Sequence, residues 1–296
     1  MLNGTKVQLT VYPPERDNPI TKPATTKISA GKIEFNNSKL YELDGSPYSV
    51  VPAQFDISGS RFNYKVISGT SWYFADVPDR GGFNGYGLKF DALGGGSNKS
   101  LYAADIVVSD TSLGITRKSV TITKNSLYVN VDGPTYDHGD TISIELGFAI
   151  NGNSAANRLN GGNGRDKIAG GSGNDTISGS GGSDRLYGGT GKDAFVFKSI
   201  TDSTVDSGSR DTIFDFSKAQ KDRIDLRGID ADVTTAGNGA FIFIGSVAFS
   251  NKAGELRFDR AASDTYIHGD VDGDGVADLS IHLDDAVTLL KSYFIL

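Results

Sequence analysis

Residues 152–196 read GNSAANRLN, GGNGRDKIA, GGSGNDTIS, GSGGSDRLY, GGTGKDAFV. They form consecutive nine-residue units, Gly152–Asn160, Gly161–Ala169, Gly170–Ser178, Gly179–Tyr187 and Gly188–Val196, with no insertion between them. The template is Gly-Gly-x-Gly-x-Asp-x-U-x, where U is apolar. U is filled by Leu159, Ile168, Ile177, Leu186 and Phe195, and the acid position by Asn157, Asp166, Asp175, Asp184 and Asp193. A fixed period of this length marks a solenoid, and this template is a known calcium-binding β-helix repeat. In each unit the first six residues make a tight loop and the last three a short strand whose U side chain enters a narrow core. The loop glycines permit positive φ and bring carbonyl oxygens close together. With two units to a turn, loops on one edge recur about every 18 residues along the chain. Stacked loops then offer carbonyls and carboxylates to a hard cation, which takes six to eight oxygens at roughly 2.3–2.6 Å. A flexible glycine-rich linker has no reason to hold an acid and an aliphatic residue at steps of nine.

The rest of the chain supports this reading. Of 296 residues none is cysteine, which removes disulfide frameworks, thiol catalysis and cysteine-ligated zinc. The net charge is −7. Nearly all of the excess acid lies after residue 150, where the glycines cluster, and this disfavours a nucleic-acid partner. Met1 to Val11 has no charged region followed by an apolar one, so no secretory signal peptide is expected there. No run of about 18 apolar residues occurs, and no transmembrane segment is expected.

Two domains are expected, 1–150 and 151–296, both all-β. Short alternating runs at Lys6–Tyr12, Ser49–Ile57, Arg61–Ile67, Asp105–Ser109, Ser119–Thr123, Ser126–Val131 and Thr141–Ile150 are separated by turn residues such as Lys124-Asn125. They predict a β-sandwich or jelly-roll-like domain. After the parallel β-roll, strands are expected at Thr212–Phe216, Arg223–Leu226, Ala240–Ile244, Glu255–Asp259, Thr265–Ile267 and Leu279–Leu283, with one or two helical turns at Asp284–Leu290. These would continue the roll and cap its open end, as solenoids require.

The nonapeptides resemble those of the repeats-in-toxin (RTX) family. Asp193-Ala-Phe-Val-Phe197, Asp211-Thr-Ile-Phe-Asp-Phe216, Asp222-Arg-Ile-Asp-Leu-Arg-Gly-Ile-Asp230, Ala240-Phe-Ile-Phe-Ile-Gly245, Ala253-Gly-Glu-Leu-Arg257 and Gly269-Asp-Val-Asp-Gly-Asp-Gly-Val-Ala-Asp278 resemble the region that follows the roll in serralysin-type secreted metalloproteases. The resemblance covers about half of the chain. It implies one calcium ion held by Gly162, Gly164 and Asp166 with Gly179, Gly181 and Asp184, the glycines through their carbonyls. A second would take Gly171, Gly173 and Asp175 with Gly188, Thr190 and Asp193. A third would use Asn153, Ala155 and Asn157 with Gly170, Ser172 and Asp175. Asp202 and Asp211 match the acids that complete a terminal site. Asp270, Asp272 and Asp274 resemble the start of an EF-hand loop, although Ile281 stands where its last acid belongs. The apolar tail Ser292–Leu296 resembles an uncleaved type I secretion signal. The implied protein is extracellular, exported by a Gram-negative bacterium through a type I exporter, and its roll folds on calcium outside the cell.

The protease itself does not carry over. The zinc motif His-Glu-x-x-His is absent, and the three histidines are His138, His268 and His282. For residues 1–150 three roles stand open. Trp72, Tyr73, Phe74, Phe83, Tyr86 and Tyr102 could form an aromatic platform for a glycan or cell surface, or pack as core. Glu34, Glu42, Asp44, Asp56 and Glu145 could supply the carboxylate pair of a polysaccharide hydrolase, although they form no motif. The domain could also be a structural part of an extracellular matrix.

Overall fold

The computed structural model describes residues 140–296 without a break. Before them it describes segments 6–12, 21–22, 24–27, 35–36, 41–42, 53–58, 61–66, 72–73, 85–90, 99–106, 117–123, 125–130 and 135–136. The chain divides into two compact units, Met1–Gly147 and Phe148–Leu296. Among the described residues both are all-β apart from short 3-10 turns.

In the first unit the described strands pair antiparallel. One sheet runs in the order Val120–Ile122, Ser126–Asn130, Gly85–Phe90, Lys6–Tyr12, Ala24–Lys27. The first two of these strands pair antiparallel, with the Thr123 N–H donating to the Ser126 carbonyl at 2.8 Å, while Lys124 of the expected turn lies outside the described residues. Gly85–Phe90 is a strand that sequence alternation did not reveal, because glycines occupy positions 85 and 87. Lys99–Ile106 starts earlier than the expected Asp105–Ser109.

We number the strands of the second unit from the one that enters it. β1 (Thr141–Asn151) pairs antiparallel with Arg61–Val66 through residues 141–145, and its last three residues join the roll. Strands β2 (Arg158–Asn160), β3 (Lys167–Ser172), β4 (Thr176–Ser178), β5 (Arg185–Thr190), β6 (Ala194–Val196), β7 (Thr212–Ile213) and β8 (Arg223–Asp225) then alternate between two parallel sheets. Lys167 pairs with Arg185 in one sheet and Arg158 with Thr176 in the other, the 18-residue register expected of two units per turn. The U side chains Ile168, Ile177, Leu186 and Phe195 are fully buried between the sheets, and Ile213 and Ile224 continue the column.

The cap extends both sheets. β9 (Ile242–Gly245), β10 (Glu255–Arg260), β11 (Thr265–Asp270) and β12 (Leu279–Leu283) extend the first sheet, with β12 parallel to β7. β13 (Phe294–Ile295) closes the second sheet against β8. Asp284–Leu290 is not helical. Val287 and Leu289 are buried while Ala286, Thr288 and Leu290 face outward or to the rim, the two-residue period of an extended chain. Thr265 Oγ1 pins it by accepting the Val287 N–H at 2.8 Å.

Candidate metal centre

The nonapeptide loops repeat one backbone shape. In the second to fifth units the second and fourth residues have positive φ: Gly162 and Gly164, Gly171 and Gly173, Ser180 and Gly182, Gly189 and Gly191. Ser180, at φ 69°, is the one side chain that tolerates this left-handed position in the loops. The left-handed residues turn carbonyls along the roll axis toward the next turn. A Cβ built on Gly182 would lie 2.2 Å from the Gly164 oxygen, one on Gly189 2.0 Å from that of Gly171, and one on Gly191 1.9 Å from that of Gly173. Only glycine permits this approach.

The acids form two ladders, one on each edge. On the first, the Asp166 N–H donates to Asp184 Oδ1 and the Asp184 N–H to Asp211 Oδ1, both at 2.8 Å. Asp166 Oδ1 in turn accepts the Phe148 N–H. On the second edge Asn157 N–H donates to Asp175, Asp175 N–H to Asp193 and Asp193 N–H to Asp222, at 2.7–2.9 Å. One oxygen of each carboxylate thus ties adjacent turns together. The other oxygen, Oδ2, is buried in Asp175, Asp184, Asp193 and Asp211 and accepts no hydrogen bond. These oxygens converge with glycyl carbonyls. The spot where Gly170 would carry a Cβ is 2.4 Å from Asp175 Oδ2 and 2.5 Å from the Gly188 oxygen. The corresponding spot at Gly161 is 2.1 Å from Asp166 Oδ2 and 2.8 Å from the Gly179 oxygen.

Buried carboxylate oxygens without donors are costly. Burial, reinforced by Asp211 and Asp166, pushes the Asp184 carboxyl up to about 10. Burial and the charges of Asp202 and Asp166 push Asp211 well up, and burial brings Asp193 to about 6. An oxygen-seeking cation is what this donor set fits: anionic and carbonyl oxygens only, in buried positions.

The structure brings the first two expected ligand sets to adjacent loops, as 18-residue stacking requires. In the second set the Thr190 carbonyl also accepts the Gly173 N–H at 2.8 Å. The loop of Asn153, Ala155 and Asn157 differs. Neither Asn153 nor Ala155 has positive φ, and Asn157 Oδ1 accepts the Asn153 N–H at 2.8 Å. That loop offers an amide already engaged in place of a carboxylate. Gly170 and Ser172, assigned to the same set, lie in β3, and the Ser172 N–H donates to the Asn153 carbonyl.

Asp202 sits at the end of the first ladder, its Oδ2 accepting the Lys198 N–H at 2.7 Å while its charge acts on Asp184 and Asp211. The second ladder ends differently. Asp222 Oδ1 takes the Asp193 N–H and its Oδ2 the Ser217 N–H, so both oxygens are satisfied. Asp215 accepts the Gly188 and Gly189 N–H groups, and Gln220 accepts that of Gly191. Asp215, Gln220 and Asp222 were not anticipated as site residues. Asp222-Arg-Ile224 nevertheless repeats the acid-x-apolar triplet of Asp184-Arg-Leu186 beyond the regular period, and that signal could have found it.

In the cap, Asp270, Asp272 and Asp278 bring carboxylate oxygens within 4.8 Å of one another. Asp274 lies outside this group, and its Oδ1 accepts the Val276 N–H. Asp270 spends both oxygens on the N–H groups of Gly273 and Gly275, so it already organises the loop without an ion.

Residues 151–295 match the family model described as Peptidase M10 serralysin C terminal. This half of the chain belongs to that family. Two solved structures are similar to it. They are the R3 and R2 subunits of the Azotobacter vinelandii mannuronan C5-epimerase, at 30% and 25% identity. Each covers 50% of this chain, with 76% and 91% of its own length covered and TM-scores of 0.37 and 0.34. No curated protein matches the chain. The serralysin C-terminal segment includes both acid ladders and the whole cap. It leaves out the first unit, whose expected site residues are mostly outside the described side chains. Glu145 is described there, and it is paired with Arg61 at 2.9 Å.

Among the described residues no helix is long and apolar enough to cross a membrane.

Proposed function

We propose that this is a secreted calcium-binding protein whose serralysin C-terminal segment folds when calcium is supplied. The observation that carries this reading is the pair of acid ladders with donorless buried Oδ2 oxygens among glycyl carbonyls. Gly162, Gly164 and Asp166 with Gly179, Gly181 and Asp184 would hold one ion. Gly171, Gly173 and Asp175 with Gly188, Thr190 and Asp193 would hold a second, and Asp184, Asp211 and Asp202 a terminal one. Bound calcium supplies the positive charge that the buried carboxylates lack. Until then like charges oppose the stacking of loops, and the glycine-rich backbone has high ordering entropy. Ion binding to the folded roll alone then becomes folding free energy.

Export through a type I exporter, with residues 292–296 as part of its address, rests on the resemblance stated above. In this proposal the first unit is a module for a glycan or cell surface, to be probed with a glycan array. The deciding experiment compares far-ultraviolet circular dichroism in EGTA and in millimolar calcium. The β signal is expected to appear with calcium, and Asp184→Asn is expected to need a higher calcium concentration. An equal β signal in both conditions overturns the proposal.

A further inference from the structure

On the cap, beside the end of the first acid ladder, three side chains of a different chemistry meet, the His282 N–H donating to the Asp211 carbonyl at 3.0 Å. Asp264 ends the tight turn between β10 and β11, where the Ala261 N–H donates to its carbonyl at 2.8 Å. His282 lies in β12, and Asp284 follows that strand. Their ligand atoms, one imidazole nitrogen and two carboxylate oxygens, all lie within 4.8 Å of one another.

The imidazole is held from two directions. Its Nδ1 is 3.1 Å from Thr212 Oγ1, and its ring lies on Tyr266 with centroids 4.7 Å apart and planes 13° from parallel. With Nδ1 turned to the hydroxyl, Nε2 faces the carboxylates and lies 2.8 Å from Asp264 Oδ1. A hydrogen-bond acceptor on the distal nitrogen fixes the tautomer and ring orientation of a metal-ligating histidine, and here the Thr212 hydroxyl stands in that place. Register explains the meeting: Thr212 pairs with His282 across β7 and β12, and His282 pairs with Tyr266 across β12 and β11.

We propose that Asp264, His282 and Asp284 form a second metal site, for a divalent transition ion of the zinc type. The roll loops present oxygen only, which suits calcium. An imidazole nitrogen beside two carboxylates suits zinc and its neighbours instead. Three protein ligands leave a position for water. Zinc ligands bond at about 2.0–2.2 Å, so closing the set requires the three ligand atoms, now within 4.8 Å of one another, to draw round a common point, with the ion taking the place of the Asp264–His282 hydrogen bond and the exposed Asp284 turning inward. The bound ion would tie the β10–β11 turn to the end of β12, next to β7, where the first acid ladder ends at Asp211.

The test is titration calorimetry of the full chain with zinc chloride in saturating calcium. One saturable zinc site is expected, weakened by about tenfold or more in His282→Gln and in Asp284→Asn. His268→Gln should bind as the parent does. Asp284 is exposed, so Asp284→Asn keeps the test decisive if circular dichroism shows His282→Gln to be misfolded. Zinc binding that survives Asp284→Asn unchanged, that is lost in His268→Gln, or that further calcium displaces would overturn the proposal. So would the absence of zinc binding, which leaves Asp264 and His282 as an ordinary ion pair.

Discussion

At Gly179 the backbone φ is not in the left-handed region, so alanine is conformationally acceptable there. What alanine lacks is room. Its Cβ would fall 2.0 Å from Asp184 Oδ2 and 2.8 Å from Asp211 Oδ2. Gly179→Ala is therefore expected to remove at least one bound calcium per chain, measured by calorimetry, with Gly208→Ala as the control. Gly208 is exposed, and the nearest atom to its added Cβ is 3.4 Å away. Of the two acids that meet around Gly179, Asp184 is legible from the period and Asp211 from the resemblance of the segment that follows it. The grouping of the acids into two ladders, each a chain of N–H to Oδ1 bonds, is not, because the pattern names residues and not the second oxygen left over. Asp215, Gln220 and Asp222 were harder still. They stand past the last full nonapeptide, where longer loops break the count but the stacking continues.

Among the elements, β13 is two residues long and completes the second sheet. Phe294 is buried, and its ring centre is 5.2 Å from that of Phe243. Phe294→Ala is expected to cost about 3–5 kcal/mol, seen as a lower denaturant midpoint in saturating calcium. The tail is thus a structural strand of the folded cap. The strands of the roll were readable because a single apolar residue per unit has only one place to go. The expectation of helical turns at Asp284–Leu290 fails because a short apolar run cannot reveal its period. Burial at Val287 and Leu289 shows that the period is two.

For the molecule as a whole, the raised carboxyls set a pH dependence. Free aspartate titrates near 3.9. Asp193 sits at about 6 and Asp184 at about 10 in the folded, metal-free roll, burial being the main cause in both. The folded state then holds more protons than the unfolded one above pH ~4, so its stability is greatest below that and falls as pH rises through 6 and beyond. In calcium-stripped buffer without chelator the β signal is expected to be larger at pH 4 than at pH 8. With calcium the order should reverse, because protons compete for the same oxygens. A metal-free signal that grows with pH would contradict this assignment of the acids.

The 18-residue register also has a mechanical meaning. Hydrogen bonds in both parallel sheets run along the roll axis, and each turn is joined to the next by its own acid rung. A pull on the ends of the roll loads those joints in series, so turns should come away singly. Each would release about 60 Å of chain. The roll would behave as a spring that lengthens in equal steps, and the calcium concentration around it would set the force at which each step gives way.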